Sequence, residues 1–266
     1  MNVFRTLGGR TRTQLLAAVL IVAGMLAGSA PGAVSAVPAI CAAPEPLWRL
    51  DRPLPHTALK LREHRALTIV AIGSSSTAGN GASTSAANYP SRLGSVLSQR
   101  YPETPIRVLN RGVGGEVETQ MEARFQRDVV AYRPDLVIWQ IGTNSVIRDR
   151  SLDDYRASVE EGIAQLKAIP ADVILMNPQY APRVLAHPEI DGMLADIAAA
   201  AKAQDVSVFD RFSIMRYWIV TRGLGFDRMV HSDALHMNDL SYGCMADLLA
   251  DAISAAVAEE PKTVAR

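Results

Sequence analysis

Four short stretches carry groups that could together break an acyl bond. G-S-S-S-T-A-G at 73–79 offers hydroxyls, and N-R-G-V-G-G at 110–115 offers backbone N–H groups with little side chain around them. G-T-N at 142–144 offers a carboxamide, and D-A-L-H at 233–236 offers an imidazole with a carboxylate three residues before it. A serine hydroxyl is a weak nucleophile at neutral pH and needs a base within hydrogen-bond reach. The oxygen that turns negative in a tetrahedral intermediate needs donors aimed at it, and glycine lets a backbone N–H come close to a ligand. Singly, each stretch has a plainer reading, since serines cap helices and Gly- or Asn-bearing turns follow many strands. The base is also open among His56, His64, His187, His231 and His236, and His231 with Asp227 is a competing pair. A third reading of H-S-D-A-L-H, as a metal cluster, finds no usual zinc spacing and no nearby cysteine.

The elements that would position these groups alternate along the chain. Short apolar, β-branched runs at Leu67–Ile72, Ile106–Leu109, Leu136–Ile141 and Val173–Met176, with a weaker one at Val206–Phe209, read as buried parallel strands. Helical patterns lie between them at Tyr89–Tyr101, Glu116–Tyr132, Leu152–Ala168 and Pro188–Gln204, and a last helix is expected over Asp239–Ala258. This alternation predicts an α/β fold, a parallel sheet with helices on both faces. The first three motifs fall at the ends of the first three strands, and in open α/β sheets sites are built at that carboxyl edge. Residues 37–65, rich in proline, read as an extended lead-in, and no Gly- or Ser-rich linker divides the chain beyond residue 65.

In this order the four blocks resemble those of the SGNH (GDSL-type) serine esterase family. Gly73, Ser75, Thr77 and Gly79 match the first block, G-D-S-[LI]-[ST]-x-G, with Ser74 in place of Asp and Ser76 in place of the apolar residue. Gly115 matches the final glycine of the second block. Gly142 and Asn144 match G-x-N-D, with Ser145 in place of Asp, and Asp233 and His236 match the last block. The resemblance covers Leu67 to the end of the last helix and implies a three-layer α/β/α sandwich on a five-stranded, flavodoxin-like parallel sheet over residues 66–260. It makes Ser75 the nucleophile, His236 the base and Asp233 its orienting acid. The backbone N–H groups of Ser75 and Gly115 and the Asn144 carboxamide become the oxyanion donors, and no cofactor or metal is expected. An α/β-hydrolase would carry G-x-S-x-G and draw its acid and base from separate loops; neither feature is present.

Bulk properties narrow the class further. Lys+Arg and Asp+Glu balance at 27 each and aromatic residues are 6%, so nothing favours a nucleic-acid partner. Residues 1–36 follow the order of a signal peptide: Arg5, Arg10 and Arg12, an apolar run from Leu15 to Gly28, then small residues ending in V-S-A. Cleavage after Ala36 is expected, with an uncleaved anchor, and membrane contact only through that segment, as the alternative. In an exported chain the two cysteines, Cys41 and Cys244, read as one disulfide. The expectation is a secreted or periplasmic serine hydrolase of carboxylic esters. Short acyl groups are favoured, such as O-acetyl on envelope or extracellular glycans, because no long apolar lid stands out. Lysophospholipase, thioesterase and O-acetyl transferase chemistry on the same fold are alternatives, and a glycan-binding protein without catalysis is the reading from another class. A flavodoxin-like nucleotide binder would leave Asn144 and D-A-L-H unexplained. Tyr217 and Trp218, in the Arg-rich stretch before the last block, are candidate walls of a substrate pocket.

Overall fold

A computed structural model describes residues 38–259. Its centre is one sheet of five parallel strands: β1 (Leu67–Gly73), β2 (Ile106–Gly112), β3 (Leu136–Gln140), β4 (Asp172–Met176) and β5 (Ser207–Phe209), in the order β2-β1-β3-β4-β5. The apolar runs become the innermost strands because both faces are covered. Ile69, Val70, Ala71 and Ile72 of β1 and every residue of β3 have no exposed surface. Five longer helices do the covering: α1 (Pro55–Arg62), α2 (Tyr89–Arg100), α3 (Leu152–Lys167), α4 (Ile190–Ala203) and α5 (Asp239–Ala258). Helix α5 packs on α2, and α4 packs on α3. With right-handed crossovers these two pairs fall on opposite faces of the sheet, giving three layers.

Local sequence explains where the helices start. Asn88 caps α2, accepting from Ser91 N–H at 2.9 Å, with Pro90 in the first turn. Asn238 and Ser241 form a reciprocal capping box at the head of α5. In α3, Tyr155, Val159, Ile163 and Leu166 recur at helical spacing and are buried.

Two expectations are corrected. The stretch 116–132 is not one helix but the short turns Glu118–Glu122, Phe125–Asp128 and Val130–Tyr132. The chain leaves the helix before Phe125 because Arg124 turns inward, where its guanidinium donates to Glu116, Asp128 and the Gly73 carbonyl. The Pro-rich stretch 37–65 is not extended either. It holds a turn at Ala39–Cys41 and helices at Glu45–Trp48 and α1, each helix with proline in its first turn, where the missing N–H costs nothing. Leu50, Leu54 and Leu61 from this stretch are buried in the main core. The signal segment 1–36 lies outside the described residues.

The chain leaves β1 to one side, towards β2, and returns past it to β3 and onward. The carboxyl ends of β1 and β3 therefore flank a topological switch point, where open α/β sheets form their crevices.

Candidate active site

Ser75 opens a single helical turn, Ser75–Ala78, directly after β1. The register that pairs Ile72 with Trp139 brings Gln140, the last residue of β3, beside that turn. Its side-chain carbonyl accepts from Ser74 N–H at 3.0 Å, Ser74 Oγ at 3.1 Å and Thr77 Oγ1 at 3.2 Å. Where the resemblance expects an aspartate at 74, the loop is organised instead by a serine gathered on a buried neutral acceptor. Strand β2 closes the other side. Asn110 Nδ2 donates to Thr77 O at 2.7 Å, and a Cβ on Gly112 would lie 2.0 Å from Ala78 N, so only glycine lets the strand end against the turn.

Beyond Gly112 the backbone doubles back towards the serine. Val113 N–H donates to Gly73 O at 3.0 Å, and a Cβ added to Gly114 would be 4.0 Å from Ser75 Cβ. Gly115 adopts φ +82°, and its N–H has no protein acceptor among the described residues. Ser75 N–H, at the first position of its turn, is one of the donors that a helix start leaves free. Asn144 sits in the turn Thr143–Ile147 after β3 and donates one amide hydrogen to Glu116 O at 2.9 Å, leaving the second available. Arg148, from the end of that turn, fixes the Gly115 carbonyl at 2.7 Å. Ser145, in the position of the second expected aspartate, donates to the buried Glu118 carboxylate at 2.5 Å, which Arg150 meets from the other side at 2.7 Å. The carboxylate absent at 145 is thus present one hydrogen bond away.

The imidazole arrives on the loop 230–237, closed by the antiparallel bridge of Val230 and Met237 and by His231 N–H on His236 O at 2.8 Å. Within it Asp233 Oδ1 accepts the backbone N–H groups of Leu235 and His236, each at 2.9 Å. Asp233 Oδ2 lies 2.6 Å from His236 Nδ1, and His236 Nε2 lies 2.8 Å from Ser75 Oγ. Burial alone would raise the Asp233 pKa. The hydrogen bonds from the His236 ring, from the two backbone N–H groups, and the imidazole charge outweigh it and hold the carboxyl well below the usual range. A carboxylate on Nδ1 leaves Nε2 free to take a proton from the serine. Ser75 and His236 are both buried to within a tenth of their surface.

The remaining histidines are engaged elsewhere. His64 pairs with Glu103, His187 with Asp149 at 3.0 Å, and His56 lies on α1, where its N–H meets Asp172. His231 lies at the rim, 45% exposed, with Nδ1 3.4 Å from both Asp233 N and Asp233 Oδ2. Because the Asp233 N–H can only donate, Nδ1 is the acceptor, which leaves His231 a neighbour of the acid and not its partner. Among the described residues no group of three or more His, Cys, Asp or Glu side chains is placed to hold a metal ion. Trp218 corrects another expectation. It has no exposed surface and donates Nε1–H to Cys41 O at 3.0 Å, beside the Cys41–Cys244 disulfide, so it lines no substrate pocket.

Sequence reasoning passed over Gln140 and Glu118. Gln140 had a readable signal, a lone carboxamide ending an otherwise apolar strand, L-V-I-W-Q. Glu118 had none, because its partners come from another loop.

A parallel five-stranded α/β sandwich with these groups at its switch point is the architecture of SGNH-like proteins. The chain belongs to the non-GDSL lipase-like family, whose model matches residues 40–259. An acetylxylan esterase of Geobacillus stearothermophilus is 33% identical over 102 residues, 35% of this chain and 47% of that protein, so the match spans about half of the relative. Among solved structures, a two-domain esterase (CEX) active on acetylated mannans superposes with TM-score 0.65 at 17% identity, over 82% of this chain and 59% of that one. A variant of Axe2, an acetyl xylan esterase from Geobacillus stearothermophilus, gives TM-score 0.59 at 24% identity, over 72% of this chain and 94% of that one. The structural likeness establishes the shared fold.

Proposed function

We propose that this protein is an exported serine esterase that removes short acyl groups, acetyl first, from glycans. The observation that carries the reading is the continuous relay from Asp233 through His236 to Ser75, at 2.6 and 2.8 Å. Ser75 Oγ attacks the acyl carbon while His236 Nε2 takes its proton. The carbonyl oxygen becomes negative against Ser75 N–H, Gly115 N–H and the free Asn144 amide hydrogen. As the tetrahedral adduct collapses, the carbon–oxygen bond to the sugar breaks and His236 returns the proton to the departing alkoxide. Water then repeats the sequence on the acyl-serine, releasing the carboxylic acid and restoring Ser75. Asp233 stays ionised throughout and stabilises the imidazolium.

The choice of glycan acetate is supported by the similar acetylxylan esterase and by the structurally similar esterase active on acetylated mannans. Export is supported by the Arg-then-apolar order of residues 1–36 and by the disulfide, a bond that persists in oxidising compartments.

Hydrolysis of p-nitrophenyl acetate, butyrate and octanoate, with Ser75→Ala alongside, tests the chemistry. Acetate release from acetylated mannan and xylo-oligosaccharides tests the substrate. The expected result is fastest turnover of the acetate ester, abolished in Ser75→Ala, with release from at least one glycan. A preference for octanoate would move the reading to lipid esters, and turnover unaffected by Ser75→Ala would end it.

A further inference from the structure

Behind the catalytic loops lies a buried carboxamide that the acyl-transfer steps do not use. Gln179 follows β4 by three residues and has no exposed surface. Its Oε1 accepts from Thr143 Oγ1 at 2.8 Å and from Ser76 Oγ at 3.4 Å, and its Nε2 donates to Leu235 O at 3.1 Å. Each partner is the chain neighbour of a proposed catalytic group: Ser76 of the nucleophile, Thr143 of the Asn144 donor, and Leu235 of the His236 base. We propose that Gln179 is the positioning residue that sets the three catalytic loops against one another.

The amide has only one useful orientation. Leu235 O can only accept, so the NH₂ end must face it and the carbonyl must face the two hydroxyls. A second buried group fixes the hydroxyl end. Arg211, fully buried, donates Nε–H to Asn177 O at 2.9 Å and Nη2–H to Thr143 Oγ1 at 3.5 Å. Thr143 Oγ1 thereby accepts from Arg211 and turns its own hydrogen to Gln179, a chain in which each bond polarises the next. Burial lowers the Arg211 pKa to about 10 and leaves it a cation, with Nη1 unpartnered among the described residues. Deleting the Gln179 carboxamide would orphan two hydroxyls and a carbonyl at once, and each could find a new partner only by moving its loop. A shift of about 1 Å in such a constellation lowers turnover by about 10²-fold.

The inference rests on the esterase reading, and its test separates the two. Gln179→Met keeps the volume and removes all three bonds, whereas Gln179→Glu keeps the acceptor and loses the donor to Leu235 O. Turnover of p-nitrophenyl acetate is measured per active site, counted by titration with a phosphonate ester. The expected result is a fall of about 10–10²-fold in kcat with KM within about two-fold for Gln179→Met, and a smaller fall for Gln179→Glu. Adding Ser76→Ala or Thr143→Val to Gln179→Met should lower kcat no further, because residues in one network are not additive. The proton that His236 Nδ1 shares with Asp233 should give a downfield NMR resonance in the wild type that broadens or shifts in Gln179→Met. Folded Gln179→Met with wild-type kcat per site and an unchanged resonance would overturn the proposal, as would fully additive losses. If Gln179→Met does not fold, Ser76→Ala cuts one bond to the carboxamide and Thr143→Val cuts another together with the Arg211 contact; each should lower kcat at constant KM, and wild-type kcat in both would overturn it. If the wild type hydrolyses none of the esters, the esterase reading fails, and the resonance still decides the role of Gln179.

Discussion

Two side chains at the centre of the site make separable predictions. Asn144 has one amide hydrogen on Glu116 O and a second left free, so on the proposed esterase reading Asn144→Ala removes an oxyanion donor without opening the core. Turnover should fall by about 10²–10³ with little change in melting temperature, measured by ester hydrolysis and by thermal unfolding monitored by circular dichroism. Asp233→Asn places an amide beside Nδ1 and favours the wrong tautomer, with an expected loss of about 10⁴ in kcat. In the wild type Asp233 is held well below the usual carboxylate range, so on the proposed reading it stays charged through the acid limb of activity. The acid limb of kcat/KM should therefore take no proton from Asp233, and a limb steeper than one proton would contradict this arrangement.

At the level of elements, legibility followed the range of the interactions. Ser75, Asn144, Asp233 and His236 were readable because each sits in a block of four to seven residues at the end of a strand, and the apolar strands announced where those ends lie. Gln140 and Gln179 were not, because their partners are set by strand register and by contacts 36–103 residues apart. The helical spacing of 116–132 hid the inward turn of Arg124, whose bond to Gly73 O, 51 residues away, exists only once the fold has formed. The prolines of 37–65 suggested extension, yet they stand where helices begin. The same short turn that Arg124 ends carries a pH response. Burial against α3 pushes the Glu122 carboxyl up to about 7 from an ordinary 4.5, a hydrogen bond from Ser158 opposing it and the nearby Glu118 and Glu161 adding to it. Between those two values the folded chain keeps a proton that the unfolded chain has released, so stability falls as pH rises through that window. Glu122→Gln should remove the fall, making the variant more stable than wild type at pH 8 and similar at pH 4.5 in urea unfolding.

For the whole molecule the dominant long-range constraint is covalent. The Cys41–Cys244 bond spans a sequence separation of 203 and ties the turn Ala39–Cys41 to the first third of α5. The chain-entropy model gives about 5 kcal/mol for a loop of this length. Urea unfolding with and without dithiothreitol should show a loss approaching that value, with Cys41→Ser and Cys244→Ser matching the reduced protein. Because Trp218 donates to Cys41 O, its emission should report the same change.

The bond also decides how the molecule bears load. Pulled from its two ends, the oxidised protein transmits tension straight across the sulfur bridge, so force peels the rest of α5 and never reaches the sheet. After reduction, force could also unfold the ring between the two cysteines, lengthening the tether by about 700 Å at roughly 3.5 Å per residue, a step that optical tweezers resolve and that the intact bridge forbids.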